Sequence, residues 1–461
     1  MFEQLFATWN APGKTPLTTV AALRHAAPSQ WRSGCHCEVP TGKLCGMHPL
    51  RSRVTLLRCV IVVAAGALLA ACGAGDPNPI VEPGGGNGAN LRLERVVFTQ
   101  VVQNDAGTLP LIAGVSAAAK VLITRSRESV AEVPVVLRLF RGGVIVHTDT
   151  TRTGGVLSAV RSLATASAEF LVPASLVNSD VSWQVVIDPR QTQPDSTRTD
   201  NQLPAAAPEL LVTVAVPPLR VRMVPVILAS HGDVSGAVTE IQAELYVRLA
   251  RQIFPARAII VTLGAPVVTR ASFGTLPVGG ERGFWGAVLA DVDRARVSSA
   301  TPEEYWYGVV SLPSGYVGFA HAGYGYIPPS PTDAGPSTRT GAGLGLSDGV
   351  STTLTQETFA HELGHNFGRR HAPGCNAVAP IDTLYGGVAG SISSLGHDVW
   401  SWANNFSLGA TSVSSGTGDV MSYCAPKWIG PYTWRGVLEW RLSSTVASHV
   451  TRQRTLPVSL P

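Results

Sequence analysis

Three histidines at fixed intervals in residues 361–371 impose a definite backbone path on this chain. The run has the pattern His-Glu-x-x-His-x-x-Gly-x-x-His, and it predicts a helix over its first half. On that helix His361 and His365 are four residues apart and project from one face. Gly368 tolerates a positive φ and lets the chain leave the helix sharply, so that His371 turns back toward the same point. We therefore expect three imidazoles to meet.

Imidazoles at this spacing are typical ligands of zinc, and three of them leave its fourth position for water. That open position distinguishes a catalytic zinc site, here with one ion, from a structural one. Glu362 follows the first histidine, and we expect its carboxylate to reach the water at the metal rather than the ion, as a general base does. The residues just before the motif, Thr353 to Gln356, have the look of a capping box and predict that the helix starts near Leu354.

A second motif follows the third histidine. Met421 lies 50 residues after it, in the run Asp-Val-Met-Ser-Tyr-Cys. With the histidine motif, this run resembles the metzincin clan of zinc endopeptidases, in which a methionine turn lies beneath the histidines. The resemblance implies a twisted mixed sheet above an active-site helix, a smaller irregular C-terminal subdomain and a cleft between them. Residues 316–326 are then expected to include an edge strand that a peptide substrate joins by strand addition.

The branch of the clan stays open. The run His-Glu-Leu-Gly-His-Asn, ending at Asn366, resembles the reprolysin-like branch. The run Met-Ser-Tyr, ending at Tyr423, instead resembles the astacin and serralysin branches, in which this tyrosine ligates zinc or stabilises the oxyanion. Ala372 follows the third histidine, where astacins and reprolysins typically carry an acidic residue. Tyr423 is therefore a candidate catalytic residue, and Met421 and Gly368 are candidate structural ones.

Cysteine placement predicts a disulfide bond near this site. After Cys72 only Cys375 and Cys424 remain, four residues beyond the third histidine and three beyond the methionine. Both segments converge beneath the zinc, so a bond between them ties the subdomain to the end of the helix. The alternative is two separate buried thiols. An even pair suits a compartment that permits disulfides.

The N-terminal region predicts export. An apolar run at 60–71 follows three arginines, which is the layout of a secretory signal, and the run is shorter than the roughly 20 residues of a membrane-spanning helix. The sequence Leu-Ala-Ala-Cys ending at Cys72 resembles the lipobox of bacterial lipoproteins, which implies a lipid on Cys72. The alternatives are a plain signal peptide or a hydrophobic helix that happens to contain a cysteine. Gly73, and not an aspartate, follows Cys72. By resemblance to the sorting of lipoproteins in Gram-negative bacteria, this favours the outer membrane as the destination.

These features divide the N-terminal part of the chain. Residues 47–71 are interpreted as a lipoprotein signal peptide that begins at Met47. Residues 1–46 then form an upstream extension that is not part of the natural protein. Residues 72–90 are rich in glycine, and we expect them to form a flexible tether. We expect an exported protein, anchored in the membrane of the cell envelope by its lipid and facing the periplasm or the exterior.

Two folded domains are predicted after the tether. Residues 91–216 read as short alternating strands, including a hairpin with its turn at Gly142-Gly143, and this pattern is typical of an all-β, immunoglobulin-like sandwich. Pro217-Pro218 marks a boundary. Residues 218–461 alternate between strands and helices, which predicts a three-layer α/β arrangement and suits the metzincin-type zinc protease domain. The expected fold class is thus a multidomain protein.

Charge excludes one class of partner. The chain has 35 basic and 31 acidic residues, a net charge of +4, but residues 1–71 hold seven basic and two acidic ones. The remaining 28 basic and 29 acidic residues give −1, so no basic surface for nucleic acid is expected.

The sequence favours a secreted, lipid-anchored zinc metalloendopeptidase that hydrolyses proteins or peptides. The alternative is a surface binding protein, or adhesin, with a zinc-stabilised module.

Overall fold

A computed structural model describes residues 2–6 and 90–454, apart from gaps at 105, 127–131, 155–156, 158–162, 273–281, 302, 313–320, 331–338 and 347–349. Strand β1 (Phe2–Phe6) is the described part of the predicted upstream extension. The predicted signal peptide, Cys72 and the tether up to residue 89 lie outside the described residues. No helix among the described residues is both long enough and apolar enough to span a bilayer.

The first region is built mainly from antiparallel strands. They are β2 (Leu91–Thr99), β3 (Leu111–Ile112), β4 (Ala117–Arg125), β5 (Pro134–Arg141), β6 (Val144–Arg152), β7 (Ala168–Val172), β8 (Val181–Ile187), β9 (Gln202–Leu203), β10 (Glu209–Leu210) and β11 (Thr213–Val214).

Most of these strands form two antiparallel sheets. One sheet has the order β2-β4-β7, and the other has the order β10-β8-β5-β6 with β9 beside β8. Gly142 and Gly143 form the β5–β6 turn with φ angles of 57° and 80°, which a two-residue hairpin of this type requires.

Alternating apolar side chains of the two sheets bury one core between them, which includes Leu93, Ile123, Leu137 and Val185. The segment that closes this region forms two short strands, β10 and β11, instead of one continuous strand. The reason is that β10 pairs with β8, while β11 pairs in parallel with β3, so the chain changes partner between them.

The second region alternates strands and helices up to residue 366 and is irregular after it. Its elements are β12 (Leu219–Leu228), β13 (Val234–Ser235), α1 (Glu240–Ile253), β14 (Ile259–Leu263), β15 (Val267–Thr269), α2 (Arg282–Val297), β16 (Tyr305–Val310), β17 (His321–Tyr326), β18 (Thr340–Leu344), α3 (Thr352–Asn366), β19 (Gly396–Asp398), α4 (Val399–Ala403), β20 (Thr411–Val413), β21 (Gly418–Asp419), β22 (Lys427–Trp428) and α5 (Pro431–Arg454).

A mixed sheet organises this region. Strand β12 pairs in parallel with β14 and β15 on one side and with β16 on the other, and β18 continues the parallel order beyond β16. Strand β17 is antiparallel to β18, and β1 is antiparallel to β17. Helix α2 packs on one face of the sheet through Trp285 and Val288. Helices α1 and α3 pack on the other face, through residues such as Val247 and Phe359. These are the three layers that the alternation predicts.

The two regions share a hydrophobic core. Val101 and Val102, which follow β2, are buried in the same cluster as Val420 and Met421 of the second region. Arg441 on α5 donates to the carbonyl oxygens of Pro217 and Pro255, which holds the connection between the regions against the C-terminal helix. The boundary seen in the sequence is thus a change of secondary structure inside one packed body.

Candidate metal centre

Helix α3 carries the first part of the histidine motif. The side chain of Ser351 caps the helix by accepting from the backbone N–H of Leu354, so α3 begins at Thr352, two residues before the predicted start. From Phe359 to Asn366 every residue of the helix is buried, between the sheet and the C-terminal subdomain. The helix has no solvated stripe there because it is covered from both sides.

The chain leaves α3 at Gly368, which has a φ of 73°. The N–H of Arg369 then bonds to the carbonyl oxygen of Gly364 over 3.1 Å, a pattern typical of a helix end closed by a left-handed residue. A β-carbon on Gly368 would lie 2.6 Å from the ring of Trp440, so the position admits only glycine. This turn brings His371 back against the helix.

The three imidazoles meet at one point and are fully buried. The Nε2 atom of His371 lies 3.2 Å from Nε2 of His365 and 3.2 Å from Nε2 of His361. A tetrahedral zinc ion with bonds of about 2.0–2.1 Å needs ligand atoms about 3.3–3.4 Å apart. The three nitrogens therefore fit one zinc ion.

Each imidazole is oriented by its other nitrogen. Nδ1 of the three histidines donates to the carbonyl oxygens of Val420, Arg369 and Val378 in turn, each over 2.7 Å. A proton on Nδ1 leaves the Nε2 lone pair free for a metal, and such carbonyl partners are common behind metal-binding histidines. Burial lowers the pKa of His361 and of His365 well below the ordinary value, and the neighbouring positive charges add to this effect. The neutral form that a metal requires is the form the site favours.

Glu362 is fully buried between α3 and the sheet. Glycines in β17 and β18 make room for it. A β-carbon on Gly323 would lie 3.1 Å from its Oε1, and one on Gly325 would lie 3.1 Å from its Oε2 and 2.8 Å from its carbonyl oxygen. A β-carbon on Gly341 would lie 3.3 Å from its own β-carbon. The carboxylate therefore occupies a space that only side-chain-free strands provide.

Met421 and Tyr423 flank the histidines from the C-terminal subdomain. The sulfur of Met421 packs against Gly364, which lies between the two helical histidines. The ring of Tyr423 is half-buried, and its centroid is 4.8 Å from that of His371. Cys375 and Cys424 form a disulfide bond with a Cα–Cα distance of 5.3 Å, so the predicted disulfide is confirmed. It joins the segment after the third histidine to the segment that carries the methionine.

Three further buried polar residues, which the sequence motifs did not identify as parts of the site, hold it in place. Asn366 donates to the carbonyl oxygens of Tyr326 and Thr340 and so ties the end of α3 to β17 and β18. Asp419 accepts from Met421, Gly430 and Thr433, and burial nevertheless raises its pKa to about 6. The Lys427 ammonium donates to the carbonyl oxygen of Ser422, and burial lowers its pKa to about 8. Asp419 and Lys427 flank the methionine in the sequence, which was the available signal.

These features define a buried three-histidine site with an adjacent carboxylate, the arrangement of a metal-dependent hydrolase. Residues 300–372 match the family model described as metallo-peptidase family M12B, reprolysin-like. The match ends one residue after the third histidine and supports a metallopeptidase. No curated protein sequence matches the chain.

Three solved structures similar to this chain are distant likenesses. The CARDB domain of a Pyrococcus furiosus protein, crystallised with di-metal ions, is 12% identical, with a TM-score of 0.18, and covers 30% of this chain and 100% of its own. A Paenibacillus cycloisomaltooligosaccharide glucanotransferase is 11% identical, with a TM-score of 0.15, and the match covers 48% of this chain and 28% of that one. A Parabacteroides merdae β-glucuronidase is also 11% identical, with a TM-score of 0.17, and the match covers 50% of this chain and 31% of that one. At such TM-scores these likenesses carry no functional information.

Proposed function

We propose that this protein is a zinc-dependent metalloendopeptidase of the metzincin type. The observation that carries the proposal is the convergence of three Nε2 atoms on α3 and the turn after it, with every Nδ1 held by a carbonyl oxygen. Glu362 follows the first of these histidines, and a site that served only to stabilise the fold would have no use for it. The reprolysin-like match over the same residues supports the same class.

His361, His365 and His371 would hold the zinc ion. Bound there, zinc would lower the pKa of a water toward neutrality and polarise the scissile carbonyl. Glu362 would accept the proton of the attacking water and pass it to the leaving amine. Tyr423, whose ring faces His371, is the residue we assign to the oxyanion.

The outer side of β17 is evidence for a peptide substrate. Strand β17 contacts α3, and on its outer side it pairs antiparallel with Phe2–Phe6, in a register from Phe2 opposite Tyr326 to Phe6 opposite His321. In the structure β17 is therefore not the edge strand that the sequence predicts, because Phe2–Phe6 lies outside it. This pairing supports the proposal that the outer side of β17 accepts an extended chain through its backbone groups, as strand addition requires. A substrate bound in the same way would run beside the glycines that house Glu362.

Zinc content and proteolysis of the full chain test the proposal together. We expect one zinc per chain, cleavage of a denatured protein, loss of cleavage with a chelator, and recovery when zinc is restored. Stoichiometric zinc without cleavage of any member of a broad peptide library would contradict it. That outcome would favour the surface binding protein with a zinc-stabilised module.

We also propose that the protein is exported and anchored by a lipid on Cys72, with the outer membrane favoured. The support is the arginine-flanked apolar run that ends in Leu-Ala-Ala-Cys. Expression of the parent and of Cys72→Ser in a Gram-negative host tests this. We expect an acyl mass on Cys72 and detergent-phase partitioning for the parent alone. Equal partitioning of both into the aqueous phase would exclude the anchor and leave an ordinary exported enzyme.

A further inference from the structure

The loop from Gln100 to Leu109, which leaves the sandwich after β2, packs into the second region. Val101 and Val102 are buried there together with Val420, Met421 and Trp428. These last residues belong to the methionine turn and to the strand beside it. Side chains of the sandwich and side chains of the metal centre therefore form one core.

The carbonyl oxygen of Val101 is the polar link in this contact. It accepts from the indole Nε1 of Trp428 over 3.1 Å and from the backbone N–H of His397 over 2.7 Å. Val102 adds a backbone bridge to Gly396. A β-carbon on Gly396 would lie 2.6 Å from the indole, so glycine there lets Trp428 reach the loop.

Two buried glutamines fix the shape of the loop from within the sandwich. Gln100 donates to the carbonyl oxygens of Ile112 and Val115 and accepts from the N–H of Ile112. Gln103 donates to the carbonyl oxygens of Phe98 and Leu109 and accepts from the N–H of Leu109. These hydrogen bonds hold the Val101 carbonyl oxygen at the position where it accepts from Trp428.

A short chain of contacts leads from Trp428 to the zinc ligands. Strand β22, which ends at Trp428, pairs with β21, which ends at Asp419. The Asp419 carboxylate accepts from the N–H of Met421, which packs under the histidines. Between them, the carbonyl oxygen of Val420 accepts from Nδ1 of His361. The position of Trp428 therefore bears on the orientation of a metal ligand.

We propose that the sandwich is a structural part of the metal centre, and that Trp428 is the positioning residue through which its loop holds the methionine turn. The proposal deepens the proposed function and rests on it. It assigns the sandwich a role in shaping the zinc site, in place of a role as an independent substrate-docking module.

The test compares Trp428→Phe with Trp183→Phe in the full chain, below the Tm of both variants. The first removes the donor to Val101 and keeps an aromatic ring. The second makes the same change in the sandwich, where the indole packs edge-on against Phe98 with ring centroids 5.1 Å apart. We expect Trp428→Phe to weaken zinc binding about 10-fold in a chelator competition, the low end of the range for partners that orient a metal ligand, because Trp428 acts on His361 through the methionine turn.

Further readouts separate positioning from general stability. We expect Trp428→Phe to lower kcat on a peptide substrate at saturating zinc without raising KM, because β17 is untouched. We also expect it to change the visible spectrum of the cobalt-substituted protein. Trp183→Phe is expected to keep the wild-type zinc affinity, kcat and spectrum even where its Tm falls.

A second pair keeps the proposal testable if Trp428→Phe does not fold. Gln103→Met removes the hydrogen bonds that shape the loop, while Gln184→Met makes the same change at a buried glutamine of β8. We expect only Gln103→Met to weaken zinc binding. Wild-type zinc affinity and cobalt spectrum in both Trp428→Phe and Gln103→Met would overturn the proposal. If the wild-type protein binds zinc but cleaves no peptide, the proposed function fails, and zinc affinity alone still decides the role of the loop.

Discussion

The sulfur of Met421 packs against Gly364 so closely that a β-carbon on the glycine would overlap it. Gly364 lies between His361 and His365, so the methionine supports the helix at the point from which both ligands project. Close packing at a buried site leaves no volume for an added methyl group.

Gly364→Ala is therefore expected to destabilise the protein by about 1–3 kcal/mol, because overpacking forces the methionine or the helix to move. Zinc affinity should fall with it. Gly286→Ala is the matched control, since Gly286 also lies inside a helix but nothing lies within 4 Å of its β-carbon position. That change should raise the free energy of unfolding by about 0.5–1 kcal/mol. Equal effects in thermal unfolding would refute the packing role.

Glu362 and His371 have separable roles in the proposed mechanism. Glu362→Ala should abolish proteolysis and keep one zinc per chain, because the carboxylate relays a proton and is not one of the three ligands. His371→Ala should lose zinc as well as activity. Metal analysis of both purified variants, beside peptide cleavage, separates the roles. More than a few per cent of wild-type cleavage by Glu362→Ala would show that another group is the general base.

The glycines of β17 offer a test of how Glu362 is placed. Gly325→Ala would bring a methyl group 2.8 Å from the carbonyl oxygen of Glu362 and 3.1 Å from its carboxylate. We expect a loss of about 10- to 100-fold in kcat with zinc retained, since small misplacements of reacting groups are costly. Gly154→Ala, at a position with nothing within 4 Å, should leave kcat unchanged. A fully active Gly325→Ala enzyme would argue against this placement.

The alternating glycines of β18 show what sequence alone could and could not predict. Gly341, Gly343 and Gly345 lack the spacing of a nucleotide-binding loop, but the sequence does not reveal their purpose. In the structure Gly341 allows a close approach of Tyr307 and Glu362, which come from different elements, and Gly343 makes room for the Tyr307 hydroxyl. Gly345 lies just beyond the end of β18 and faces Val309 and the Tyr246 hydroxyl instead. The space that a side chain from a distant element needs produces no periodic pattern in the local sequence.

The same distinction applies to the metal centre. The helix and the turn at Gly368 follow from local spacing, and these predictions agree with the structure. Asn366, Asp419 and the link between Trp428 and Val101 depend on tertiary contacts. Trp428 and Val101 are 327 residues apart, so no short motif could join them. The shared core of sandwich and second region was missed for this reason.

The disulfide should contribute to stability through the unfolded state. Cys375 and Cys424 are 49 residues apart, and closing such a loop is worth about 4 kcal/mol in the chain-entropy model. The Cys375→Ser/Cys424→Ser double variant should lose about that much in denaturant unfolding. Reduced wild-type protein should behave like the double variant. Two free thiols in unreduced wild-type protein, detected by mass spectrometry, would contradict the bond.

His397 should make the contact between sandwich and second region sensitive to acid. Its imidazole is fully buried, and its two ring nitrogens have no hydrogen-bond partner among the described residues. Burial lowers its pKa from 6.5 to about 3, and the charge of Lys120, which is paired with Glu169, adds to the effect. Above pH 6.5 such a histidine is neutral in both the folded and the unfolded state and does not change the free energy of unfolding. As the pH falls from 6.5 toward 3, the unfolded state binds a proton that the folded state does not, so the free energy of unfolding falls.

At pH 5 this linkage removes about 2 kcal/mol of stability relative to pH 8. His397→Met replaces the imidazole with an apolar side chain and removes that titration. The wild-type free energy of unfolding should therefore fall by about 2 kcal/mol more than that of the variant between pH 8 and pH 5. Urea unfolding at both pH values measures the difference, and comparison within each protein cancels the packing cost of the substitution, since that cost does not depend on pH. Parallel pH profiles for the two proteins would mean that His397 is protonated in the folded protein or hydrated by water.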